Sequence, residues 1–215
     1  MNTSCSKKRN QGLTFLEAVV VILSLILLAA LLLPALSAPR SKRHVSCANQ
    51  LKQVAVAFRN WQGDNGDKFP NEVSVAKGGA MELALRGDAL SVFQVLSNEL
   101  GTPKFLYCPA DVDRHEATNF ALTSKNVSYF VNVDADPTLP QGILAGDDNL
   151  EVNHLRVKPG LVEMDSHTTM AWLPTRHRLC GNVVIMDGSV QAVNNLMITN
   201  YFCPTNGSRI RLAIP

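Results

Sequence analysis

The sequence predicts an α+β protein in which one long N-terminal helix feeds a β-rich globular head. Three observations predict it: an uncharged apolar run near the N-terminus, an amphipathic stripe behind it, and short β-branched and aromatic runs in the second half.

The apolar run comes first. Ala18 to Ala38 spans 21 residues without a charged side chain. At a rise of about 1.5 Å per residue it covers about 30 Å, the hydrocarbon thickness of a bilayer. A core helix is rarely apolar all round for so long, so residues 13–38 are expected to form a transmembrane helix. Beyond it, Cys47, Leu51, Val54, Ala55, Phe58 and Trp61 recur at spacings of three and four among polar neighbours. That spacing predicts an amphipathic continuation over 39–62, with its stripe laid against the head. One helix from Leu13 to about Gln62 is about 75 Å long. Gly63 to Asp67, rich in Gly and Asx residues, is expected to stop it.

The head is expected over 63–215. Asp88 is placed to cap a short helix running to Asn98. Strands are predicted at Val127–Val133, Leu161–Met164, Thr168–Leu173, Val183–Met186 and Val190–Val193. Asp187-Gly188 separates the last two and reads as a two-residue hairpin turn.

Charge and cysteine content narrow the function classes. Net charge is +2, but Lys7, Lys8 and Arg9 stand in an acid-free N-terminal dozen. Without them 17 basic residues face 18 acidic ones, which leaves no basic surplus for nucleic acid. Of five cysteines, Cys5 precedes the apolar run, and Cys47, Cys108, Cys180 and Cys203 follow it. Four suit an oxidising compartment, with three pairings open.

The stretch Lys7-Lys8-Arg9-Asn10-Gln11-Gly12-Leu13-Thr14-Phe15-Leu16-Glu17 carries an acid at the mouth of the apolar run. A lone carboxylate is costly there. Cleavage after Gly12 would create an α-amino group about one helical turn away as its partner. The segment resembles the type IV prepilin and pseudopilin signal. The resemblance implies cleavage by prepilin peptidase between Gly12 and Leu13, N-methylation of Leu13, and assembly roles for Glu17 and for Pro34. Asn49-Gln50-Leu51-Lys52-Gln53, Asp64-Asn65-Gly66-Asp67-Lys68-Phe69-Pro70 and Cys108-Pro109-Ala110-Asp111 look like the bacterial pseudopilin-like group. So does His177, followed after nine residues by Asp187-Gly188.

That resemblance implies a pilin-like fold. It also implies a structural subunit of a type II secretion pseudopilus, self-associating through its N-terminal helices and served by a platform protein and an assembly ATPase. It places the chain in the bacterial inner membrane as a single pass, N-terminus cytoplasmic and head periplasmic, or in a periplasmic filament. The alternatives are a type IV pilus minor pilin and a membrane-anchored envelope binding module with the same signal.

No catalytic motif appears. His154, His167 and His177 with Asp165 or Asp187 match no hydrolase or metalloprotease pattern, so no enzyme is expected. His177 is expected to orient the Asp187-Gly188 hairpin. No cofactor is expected, with one exception. Asp111, Asp113, Asp147 and Asp148 are loop carboxylates of the type Ca²⁺ takes, and the major pseudopilin of type II secretion, which this N-terminus resembles, binds calcium in its head.

Overall fold

The computed structural model describes residues 15–36, 39–202 and 209–215, with side chains over 31–45 outside the description. The chain divides into two compact units, 1–42 and 43–215.

In the first unit lies helix α1 (Phe15–Leu36). Leu and Ala favour it, and Ser24 returns its hydroxyl to the Val21 carbonyl at 2.8 Å instead of competing with the backbone. Glu17 sits in the first turn, where the helix dipole favours an acid. Among the described residues, no helix is long and apolar enough to cross a membrane. This corrects the predicted transmembrane half at 13–38, and with it the single-pass inner-membrane placement and the sided topology. The apolar side chains described on α1 run over 15–30, about 24 Å of helix, against the about 20 residues a span needs. The expected continuous helix is described in two stretches, α1 and α2 (Pro39–Asp64), with residues 37–38 between them outside the described residues.

From Arg43 onward α2 belongs to the head unit, which therefore starts well before residue 63. Its predicted stripe is buried from Cys47 through Trp61. The helix runs to Asp64 and stops where Gly66 and Asp67 take left-handed backbone, and Asp67 N–H bonds back to the Gln62 carbonyl. Short helices follow at α3 (Met81–Ala84), α4 (Ala89–Val95) and α5 (Ser97–Leu100). Asp88 caps α4, accepting from Leu90 N–H and Ser91 N–H, but the helix ends at Val95 and not at Asn98.

Nine strands complete the described head. They are β1 (Tyr129–Asn132), β2 (Ile143–Asp147), β3 (Leu150–Val152), β4 (Leu155–Arg156), β5 (Gly160–Met164), β6 (Met170–Trp172), β7 (Cys180–Ile185), β8 (Val190–Asn194) and β9 (Ile210–Ile214), with α6 (Ile198–Phe202) before the last. They form an antiparallel six-stranded sheet, β5-β9-β1-β2-β7-β8, and a three-stranded sheet, β4-β3-β6. β2, β3, β4 and β9 had no counterpart in the sequence reading.

The large sheet is covered on both faces, and the side-chain alternation shows it. Tyr129, Val131, Val184 and Ala213 join the core of α2 and α4, where Phe58 meets the edges of Phe69 and Phe93. Phe130, Val183, Ile185, Leu212 and Ile214 join a second core with Leu150, Trp172 and Phe202 from the small sheet and α6. Strands β1, β2 and much of β7 are thus buried on both faces.

The turn between β7 and β8 holds three residues, Met186 to Gly188. Ile185 N–H donates to the Ser189 carbonyl, Gly188 N–H donates to the Ile185 carbonyl, and Gly188 takes φ +86°. This replaces the expected two-residue turn, and left-handed glycine at its third position is why Asp-Gly stands there.

Candidate functional site

Three chain segments converge at one end of the large sheet's inner strands β1, β2 and β7. The loop after a short 3-10 helix at 103–106 brings Cys108, Asp111 and Arg114, the end of β2 brings Asp147 and Asp148, and the approach to β7 brings Arg176 and His177. Local chemistry fixes each segment. Asp111 N–H bonds the Cys108 carbonyl at 2.8 Å and its side chain takes Asp113 N–H, an Asx turn. Asp148 N–H bonds the Ser128 carbonyl beside β1.

The four charges close into a ring. Arg176 lies 2.8 Å from Asp111 and 2.6 Å from Asp148. Arg114 lies 3.1 Å from Asp111 and 2.6 Å from Asp148. Side-chain exposure is 5% for Arg176, 2% for Asp111 and 3% for Asp148, so the pairs are dry and uncompensated loss of any member is costly. Ser128 donates its hydroxyl to Asp111, and its carbonyl accepts from Arg176. Burial pushes the Asp111 carboxyl up, but Arg176, the Ser128 hydroxyl and Arg114 outweigh it and hold it below the usual carboxylate range. Burial works against the charge of Arg114 as well, and Asp148 and Asp111 more than reverse that.

Beside the ring lies a second, fully buried group. Cys47 of α2 and Cys108 are joined in a disulfide. His177 Nε2 stands 3.4 Å from Cys108 Sγ and 3.5 Å from Asp147 Oδ2. Asp147 Oδ2 also accepts from Asn182 N–H at 2.7 Å and from its side-chain amide at 2.9 Å. Burial raises the Asp147 carboxyl above its ordinary range despite His177, Arg176 and Asn182.

The expected site residues are distributed as follows. Asp111 and Asp148 converge on two arginines, and Asp147 beside them meets His177 and Asn182. The Asp111 and Asp148 carboxylates are spanned by two guanidiniums, and a divalent cation placed there would face both positive groups, so the donor set does not fit calcium. Asp113 is exposed and meets Arg156 at 3.5 Å. His177 lies at the opposite end of β7 from the hairpin it was expected to orient. Asp187 instead holds its own turn through the Ser189 N–H and is exposed. Cys180 is half-buried and free among the described residues. Glu17 is exposed on α1, whereas Gly12, Leu13, Cys203 and the side chain of Pro34 lie outside the described residues.

Arg114 and Arg176 were not singled out from sequence, and Ser128 and Tyr129 entered it only as part of a predicted strand. Burial drives the Tyr129 hydroxyl well above its ordinary range, with Asp147 adding to the effect. The ring is a charge-neutral clamp that fixes three loops. On its open side a cavity of about 490 Å³ is rimmed by Lys125, Arg156 and Lys158. No family model, curated protein or solved structure matches the chain.

Proposed function

We propose that the chain is a pseudopilin-like structural subunit, cut by prepilin peptidase between Gly12 and Leu13 and assembled into a type II secretion pseudopilus. A platform protein and an assembly ATPase serve that assembly. One observation carries the reading. Every large apolar side chain described on α1 is exposed, between 39% at Val19 and 87% at Phe15, whereas the head gathers most of its apolar residues in two cores of its own. A surface of that size needs cover. Copies of the same helix supply it, with Glu17 near the new α-amino group of an adjacent copy setting the register. The prepilin-type signal supports the same reading.

A photo-cross-linking residue at Val20, exposed on α1, tests the proposal in cells of the native host. A ladder of subunit multiples is expected. Glu17→Ala is expected to leave cleavage intact and thin the ladder. Monomer alone in the wild type would favour a binding module, for which the cavity rimmed by Lys125, Arg156 and Lys158 is the specific support.

A further inference from the structure

We propose that reduction of the Cys47–Cys108 bond converts the buried group beside the charge ring into a Zn²⁺ site, with Cys47 Sγ, Cys108 Sγ, His177 Nε2 and Asp147 Oδ2 as its donors. The side chains of all four residues are buried, and the sulfur and Nε2 atoms of Cys47, Cys108 and His177 lie within 4.8 Å of one another. Bond lengths of about 2.0–2.3 Å at tetrahedral angles put the edges of a zinc polyhedron at roughly 3.3–3.8 Å. The Cys108 Sγ to His177 Nε2 distance, 3.4 Å, and the His177 Nε2 to Asp147 Oδ2 distance, 3.5 Å, already have those lengths. The two sulfurs must part by rotation about their Cα–Cβ bonds, and Asp147, which stands outside the group within 4.8 Å, must close on them.

A second observation points the same way. Asp147 Oδ1 is buried with no hydrogen-bond partner among the described residues. A wholly buried carboxylate with one oxygen unmatched is costly for a fold to keep, and a cation beside it removes that cost. Two sulfurs and an imidazole select a borderline or soft divalent ion over a hard one such as Ca²⁺. The bookkeeping closes. A dithiol reductant gives two electrons and two protons to the Cys47–Cys108 bond and becomes a disulfide itself. Zn²⁺ then displaces both thiol protons to solvent. The disulfide and the metal are alternative staples for the same two elements, α2 and the loop carrying Cys108.

The test uses the full chain with Cys5, Cys180 and Cys203 replaced by serine. It is reduced with a phosphine, which does not compete for zinc, and returned to native buffer with and without Zn²⁺. Native mass spectrometry is expected to find one Zn²⁺ per reduced chain and none on the oxidised chain, with two protons released on binding. Co²⁺ in place of Zn²⁺ is expected to give thiolate charge-transfer bands and strong tetrahedral ligand-field bands. His177→Ala is expected to weaken zinc binding by at least about tenfold. The proposal is overturned by a reduced chain, folded by circular dichroism, that takes up no zinc. It is overturned equally by one that stays unfolded in excess zinc, or by uptake unchanged in His177→Ala or in Cys47→Ser.

Discussion

Two aspartates in one buried site answer pH with opposite signs. Asp111, held low by Arg176, Ser128 and Arg114 against its burial, stabilises the fold wherever its unfolded counterpart is ionised, above about pH 3.9. That contribution drains away as pH falls through the lower folded value. Asp147 is raised by burial, so its ionisation costs stability as pH climbs from the ordinary value to the folded one, and acid relieves the cost. Removing Asp111 leaves Arg114 and Arg176 facing each other in a dry site. Asp111→Ala is therefore expected to cost about 3–5 kcal/mol at neutral pH. Urea unfolding at a series of pH values should also show its stability falling less steeply than the wild type's below about pH 4. None of this was legible in the chain, because Asp111, Asp113 and Asp148 in loops look like turn chemistry, and their arginine partners are 3 to 65 residues away.

Among the elements, the legible ones were those with a period. The α2 stripe from Cys47 to Trp61 and the helix capped by Asp88 stood out because one side of each is wet. β2 did not, because a strand covered on both faces needs no alternation, and Ile-Leu-Ala-Gly-Asp carries no period of two. β9 was missed for the same reason at its buried end. β7 shows how tightly such strands are held. A Cβ on Gly181 would lie 2.4–2.5 Å from the Trp172 ring, whereas one on Gly188 meets only the distant Arg59 side chain. Gly181→Ala is expected to lower the melting temperature through overpacking worth about 1–3 kcal/mol. Gly188→Ala is expected to cost about 1–2 kcal/mol, from its left-handed backbone alone. The disulfide joins α2 to its loop across 61 residues of sequence. By loop entropy, replacing both cysteines with serine in metal-free buffer is expected to cost about 4 kcal/mol, read from the denaturant midpoint.

For the whole molecule, the amphipathic stripe and the β-branched runs pointed to a helix feeding a sheet-rich second half, but not to how the chain divides. The head takes α2 into its own core, so its boundary falls at Arg43 and not at Gly63. The described apolar side chains of α1 are exposed. A chain of residues 43–215 is accordingly expected to fold with the thermal stability of the full-length head and to sediment as a monomer. The prepilin-type reading of the N-terminus is a claim about processing, and the intact mass of the protein from its native host reads it directly. A mature chain beginning at N-methylated Leu13, twelve residues shorter than the translated one, is expected. A chain beginning at Met1, or cut anywhere else, would contradict it.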